Sequence, residues 1–192
     1  MKLRSFLRRY WPLLIILVAL IAWWRLFNYL VDFRKADVAF VTTPNDVVAA
    51  MLDTAQVSEN DVVFDLGSGD GRVLFAAAHR GARAVGIEID PGLVEQSQAA
   101  VRSAGLVNRI TIRRGDIFKQ DLTPATVITM YLTPSLNAQL RPQFDHLWPG
   151  TRVVSHMFSM PGAKPAKKVT VKSAETGLEH PVYLFVTPTD WE

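Results

Sequence analysis

From residue 61 onward, short apolar runs alternate with longer stretches whose apolar positions recur every three or four residues. The short runs predict strands near 61–66, 83–89, 109–113, 126–132, 151–157, 167–173 and 181–187. The longer periods predict helices near 72–80, 91–104 and 134–144, with Pro91 and Pro134 in first turns, where a missing N–H costs nothing. Upstream, Val47, Val48, Met51 and Leu52 form an apolar stripe at helical spacing. Ahead of that stripe Thr43 suits an N-cap, Pro44 the first helical position and Asp46 the third. Strand and helix alternate as an α/β, doubly wound, mainly parallel seven-stranded sheet requires, with helices covering both faces.

The amino-terminal pattern is different. No charged residue falls between Trp11 and Trp24, and apolar character continues to Val31 with only Arg25 and Asn28 interrupting. As a helix the stretch would reach about 31 Å at ~1.5 Å per residue, matching a bilayer core. Tyr10, Trp11, Trp23 and Trp24 suit the water interface, and Arg25 can snorkel toward headgroups. Small residues at signal-cleavage spacing are missing near its end, so a retained anchor is expected, ahead of an interfacial helix or one buried in a soluble core. Residues 1–35 thus read as an anchor with a basic flank, and residues 36–192 as one globular domain.

The sharpest chemical signal is Val62 to Arg72, an apolar strand ending in Asp65, then Gly67-Ser68-Gly69-Asp70-Gly71, then a helix. Glycines at alternate positions let the backbone turn sharply and approach a ligand, and the helix N-terminus offers free N–H groups there. The spacing is not the G-x-G-x-x-G of dinucleotide sites, and no Gly-Lys-Ser/Thr follows as in a phosphate-binding loop. The plain alternative is a glycine-rich turn before a helix. Two more acids close the next strands, Glu88 after Ala84-Val85-Gly86-Ile87 and Asp116 after Ile110 to Gly115. A carboxylate at the end of the second strand can accept both hydroxyls of a ribose.

This pattern resembles the D-x-G-x-G-x-G loop of class I S-adenosylmethionine-dependent methyltransferases, whose fold is Rossmann-like. The resemblance implies that Gly67, Ser68, Gly69 and Gly71 face the methionine part of S-adenosyl-L-methionine and that Asp65 contacts its amino group. It places Asp116 at the adenine amino group, Ile89 and Ile117 as walls for the adenine ring, and Thr43 at the cofactor mouth. The last two strands, with no helix between them, resemble the superfamily's closing antiparallel hairpin.

Charge and composition narrow the reading. The net charge of +3 is uneven: residues 1–35 hold seven Lys or Arg and one Asp, leaving fourteen basic and seventeen acidic residues in the remainder, a net −3. A domain of that sign is not built to hold a nucleic acid on a broad phosphate-binding face. Lys164, Lys167, Lys168 and Lys172 cluster locally, as on a solvated edge strand. There are no cysteines, so disulfides and thiol chemistry are excluded. His79, His146, His156 and His180 lack metal-ligand spacing, and no metal is expected.

A narrower likeness covers roughly residues 40–158. Thr43-Pro44, Asp65 to Arg72, Val85 to Glu88, Gly115-Asp116, Tyr131-Leu-Thr-Pro-Ser-Leu-Asn137 and Pro149-Gly-Thr-Arg-Val-Val-Ser-His156 together are similar to the ATP synthase c-subunit lysine methyltransferase family and its bacterial relatives. Met157 departs from the Ser-His-Asp-Phe that bacterial relatives often carry. The resemblance implies a membrane-anchored enzyme that methylates a protein lysine, with a membrane protein as a fitting acceptor. Tyr131 and Asn137 are the expected catalytic residues, with Thr133 and His156 lining the acceptor site. A small or lipid-like acceptor, or a cofactor-binding membrane module without catalysis, are the alternatives. Lys2, Arg4, Arg8 and Arg9 precede the apolar run and Arg34 and Lys35 follow it, a bias that favours a cytoplasmic amino terminus. The methyl donor is made in the cytosol, so the domain is nevertheless expected to face the cytoplasm.

Overall fold

The computed structural model describes residue 11, residues 15–26 and residues 41–191. Contacts divide the chain into two units, Met1–Lys35 and Ala36–Glu192. In the first, residues 15–26 form helix α1, whose Ile15, Leu17, Leu20 and Trp24 side chains are exposed. The rest of the span expected from Trp11 to Val31 lies outside the described residues, apart from Trp11. Among the described residues no helix is long and apolar enough to cross a membrane; at ~1.5 Å per residue, α1 as described is about 18 Å long.

The second unit holds a seven-stranded sheet in the order β3-β2-β1-β4-β5-β7-β6. Its strands are β1 (Val62–Leu66), β2 (Arg83–Glu88), β3 (Ile110–Arg114), β4 (Val127–Met130), β5 (Arg152–His156), β6 (Lys167–Lys172) and β7 (Glu179–Val186). The first five are parallel, whereas β7 runs antiparallel to both β5 and β6. The central β1, β4 and β5 are buried almost throughout, as strands covered on both faces must be, while edge strand β6 alternates half-buried and exposed positions. Lys167, Lys168 and Lys172 lie on that edge, where charge discourages further strand pairing.

Alternation along the strands sorts side chains into two apolar layers. Val63, Val127, Val154 and Val182 pack under α2 (Asn45–Thr54), α3 (Arg72–His79) and α4 (Pro91–Ser103). Phe64, Ile128, Val153 and Phe185 pack on the other face with Leu136, Leu140 and Phe144 of α5 (Pro134–Gln139) and α6 (Arg141–Phe144). The period of two then puts Asp65, Thr129, Tyr131 and His156 on the α2 face, at the carboxyl ends of β1, β4 and β5. The chain order reverses between β1 and β4, and open α/β sheets bind ligands at the mouth of such a reversal.

Four local details differ from expectation. The helix foreseen over 134–144 is split, because Pro142 has no N–H to give the carbonyl four residues back. Thr43 is not the N-cap of α2: Pro44 holds that place, with extended dihedrals and its carbonyl taking the first helical N–H from Val48. Asp46 falls at the second helical position rather than the third, and besides the Val47 N–H of its own turn it accepts from the Ser173 hydroxyl at 2.9 Å and the Ala174 N–H at 2.6 Å, tying α2 to the β6–β7 hairpin. Strand β7 also begins earlier than its apolar run, at Glu179, which brings His180 into the sheet.

Candidate active site

The glycine loop hooks over the end of β2. Gly67 and Ser68 both donate to the Ile87 carbonyl, at 2.9 and 3.1 Å, and Gly67, Gly69 and Gly71 have φ of 78°, 52° and 84°. Side chains beyond glycine are strained at such angles, so this course of the backbone requires the three glycines. Gly71 caps α3 and hands the chain to Arg72. The Arg72 guanidinium forks onto Asp70 and also donates to the Thr43 carbonyl at 2.7 Å, joining loop to α2 lead-in.

The strand-end acids have distinct surroundings. Glu88, buried at 6% exposure, accepts from the Gly69, Ile89 and Asp90 N–H groups at 2.8–2.9 Å. Asp116, half-buried beyond β3, caps a short 3-10 turn by accepting from the Phe118 N–H; the neighbouring Gly115 N–H bonds to the Glu88 carbonyl. Ile89 and Ile117 beside them are half-buried. Asp65 is equally buried, and the β1–β4 register sets it opposite Thr129, whose hydroxyl donates to it at 2.7 Å. Burial raises the Asp65 carboxyl to about 7, reinforced by the Glu88 and Asp70 charges and opposed by the Thr129 hydrogen bond.

Asp65 opens on a cavity whose walls include Thr43, Gly67, Ser68, Arg72 and Tyr131. Ser68 Oγ is buried without a hydrogen-bond partner among the described residues. Beyond the cavity, Met130 pairs with Ser155 in the β4–β5 ladder, so the next residues, Tyr131 and His156, emerge side by side. Their rings are 4.2 Å apart between centroids, and Phe158 lies 6.4 Å from Tyr131 on a nearly parallel plane. His156 is 1% exposed. Its Nδ1 faces Thr43 Oγ1 at 3.1 Å and its Nε2 faces His180 Nδ1 at 2.9 Å; His180 Nε2 in turn meets Thr176 Oγ1 at 3.0 Å. Burial, then the neighbouring His180, lowers the His156 imidazole to about 4, so it is neutral near pH 7.

Asn137 is fully buried. Its Nδ2 donates to Ser155 Oγ and to the carbonyls of Phe158 and Ser159, at 3.3–3.4 Å, and it is not among the cavity's lining residues. It clamps the turn after β5, in which Phe158 N–H bonds to the His156 carbonyl across Met157 at φ 63°. Thr133 bonds to Ser135. Thr129, Thr176 and His180 were not legible as site residues: Thr129 sits mid-strand, and His180 looked like one of four scattered histidines.

The sequence model of the ANTKMT methyltransferase domain matches residues 65–167. A protein-lysine N-methyltransferase of Saccharolobus islandicus is 41% identical over 152 residues, covering 78% of this chain and 93% of that protein. The chain belongs to the ANTKMT methyltransferase domain family. A mouse adenine nucleotide translocase lysine N-methyltransferase is 36% identical over 55% of this chain, which spans 47% of that protein. An ATP synthase c-subunit lysine N-methyltransferase of Caenorhabditis elegans is 29% identical, with 58% and 59% covered. Among solved structures, an RNA methyltransferase from Salinibacter ruber in complex with S-adenosyl-L-homocysteine superposes with a TM-score of 0.71, at 46% identity over 76% of this chain and 93% of that one.

This member of the family is an S-adenosylmethionine-dependent methyltransferase with the Rossmann-like fold of such enzymes. The residues present fit the cofactor. Asp65 is a buried carboxylate facing a cavity with no cation committed to it among the described residues, since Arg72 is taken by Asp70; an ammonium placed there would supply the missing charge. Ser68 Oγ has hydrogen-bonding capacity to spare, and Glu88 and Asp116 stand at the adjoining strand ends.

Proposed function

We propose that this chain methylates a lysine side chain of a protein, using S-adenosyl-L-methionine held over the ends of β1–β3. The observation that carries the reading is the cavity lined together by Asp65, Gly67 and Ser68 of the glycine loop, Thr43 and Tyr131. Asp65 would hold the cofactor's ammonium, Gly67 to Gly71 and Ser68 its methionine end, Glu88 the ribose, and Asp116 with Ile89 and Ile117 the adenine. When bound, the cofactor supplies an activated methyl group on a sulfonium. The protein's own contribution is to position a neutral amine and exclude water, and orientation of this kind is worth up to about 7–11 kcal/mol. Tyr131 and Phe158 offer aromatic faces that attract an ammonium, and the neutral His156 behind them adds no repelling charge.

The S. islandicus relative, named for protein lysine, supports this acceptor. The S. ruber neighbour, named for RNA, favours a second reading. The net −3 of residues 36–192 weighs against that reading. We further propose that the amino-terminal apolar run tethers the enzyme to a lipid bilayer with the domain facing the cytoplasm, where donor and membrane-protein lysines meet; its uncharged Trp11–Trp24 stretch supports this. Protease added to intact spheroplasts should spare the domain, and digestion there before lysis would refute the orientation. The acceptor is tested with tritiated donor and membranes from cells deleted for the protein. Label should enter protein as methyl-lysine; label in RNA or lipid alone would overturn the lysine reading.

A further inference from the structure

The acceptor half contains more hydrogen-bonding machinery than holding an amine requires. Thr43 Oγ1, His156 and His180 are buried and form one continuous chain with three links of 2.9–3.1 Å, ending at the exposed Thr176 in the β6–β7 turn. One end lies in the cavity wall and the other at the surface. Two neutral imidazoles in such a chain satisfy every nitrogen in either of two polarities. In one, Thr43 donates to His156 Nδ1, His156 Nε2–H to His180 Nδ1, and His180 Nε2–H to Thr176; in the other, each link is reversed. A chain satisfied in both directions differs between them by one proton carried from end to end.

The geometry points to Thr43–His156–His180–Thr176 as the exit route for the proton that an acceptor ammonium must lose before it can take a methyl group. This rests on the lysine-methyltransferase reading above. An amine of the lysine type arrives at neutral pH as an ammonium, its ordinary pKa being about 10.4. Its N–H bond breaks, the electron pair stays on nitrogen, and Thr43 Oγ1 takes the proton while giving its own to His156 Nδ1. His156 Nε2–H passes to His180 Nδ1, His180 Nε2–H passes to Thr176 Oγ1, and the Thr176 hydroxyl proton goes to water. Both rings end neutral, in the opposite tautomer. When the cavity empties to solvent, the hops run backward with water in place of the amine and restore the starting state. The depressed basicity of His156 fits a conductor rather than a resting place for charge.

The charged and titratable neighbours are compatible with this route. Tyr131 packs against His156 from the end of β4 with its ring tilted at 50°, and Asp65, Asp70 and Arg72 line the cavity from β1 and the start of α3. Asp46 is held by Ser173 and Ala174, and Glu175 accepts the Asn45 N–H at 2.9 Å. These last contacts fix the turn that carries Thr176 against the start of α2.

The test compares His180→Phe, Thr176→Val and Thr176→Ser with the wild-type full chain. Methylation of membranes from deleted cells is followed from pH 6 to 10, with donor affinity measured by calorimetry. His180→Phe and Thr176→Val should slow turnover at neutral pH by at least about tenfold, as loss of proton transfer does, and recover toward wild type near pH 10. Thr176→Ser, which keeps the hydroxyl, should restore the turnover and the pH profile that Thr176→Val loses. Donor affinity should be unchanged in all. Nitrogen-15 spectra of the histidine rings should show both His156 and His180 singly protonated at pH 7, and tautomers that change in Thr176→Val. Losses equal at every pH, or none, or an imidazolium in the pair would overturn the route while donor binding leaves the methyltransferase reading standing. A wild type that binds no donor would instead defeat that reading.

Discussion

The two halves of the site are built in opposite ways. The donor half gathers Asp65, the glycine loop, Glu88 and Asp116 from three strand ends in consecutive βα units, each group next to the apolar run that positions it. The acceptor half joins Thr43 to His156 across 113 residues of sequence and His156 to His180 across 24. The donor half also carries the electrostatic tension, a buried carboxylate that faces the Glu88 and Asp70 charges without a paired cation among the described residues. The acceptor half is internally satisfied, its buried imidazoles and hydroxyls bonded to one another. One half is completed by what it binds, and the other is complete beforehand.

Replacing the tense group should separate the halves most sharply. Asp65→Asn should weaken donor binding by about 10²-fold, the worth of a charge-assisted hydrogen bond, as read by calorimetry. The same change should stabilise the ligand-free protein. Folding raises the Asp65 pKa from 3.8 to about 7, so its ionisation costs stability progressively as pH rises through that interval. Above it the cost is complete, up to about 4 kcal/mol from the shift. Thermal unfolding without donor should therefore show the variant ahead of wild type at pH 8 and level with it below pH 4. A variant less stable at pH 8 would contradict the assignment of strain to this carboxylate.

The pH dependence of binding follows with the opposite sign. The ionised carboxylate is the form that pairs with an ammonium, so wild-type donor affinity should be full above pH 7. It should fall by about tenfold for each unit below. In Asp65→Asn the low-pH decline should vanish.

Gly86→Ala tests whether the donor loop can be disturbed alone. A Cβ there would stand 2.6 Å from both Leu74 Cδ1 and Ser68 Oγ, so the loop and α3 must shift, at a cost of about 1–3 kcal/mol. Melting should drop and donor binding weaken, while the His156–His180 ring-nitrogen spectra stay as in wild type. The smallest effect is expected at Met157, the central residue of a tight turn at φ 63°. Met157→Gly should raise stability by about 1 kcal/mol through relief of backbone strain and leave donor affinity untouched.

The same contrast explains what could be read in the amino acids alone. Seven strands and their mainly parallel course follow from apolar runs and the helices between them, the antiparallel close follows from the resemblance, and the donor half rode on those runs. Thr43 carries two readings before a helix, N-cap and site residue, and only the first fails: the fold gives the cap to Pro44, puts Thr43 in the cavity wall and turns its hydroxyl to His156. Asn137 belonged to a motif, yet its amide braces the turn after β5. His180 was hidden by Pro181, which made the last strand look as if it began two residues later than it does, whereas the pairing with β6 extends back to Glu179. Long-range pairs leave no periodic trace, and burial of both partners appears only once the sheet has closed.

Arg72 is the rivet between the two halves, one arm on Asp70 in the glycine loop and another on the backbone oxygen of Thr43. A shift of the loop at Asp70 would therefore be passed to the backbone at Thr43 through a single planar guanidinium.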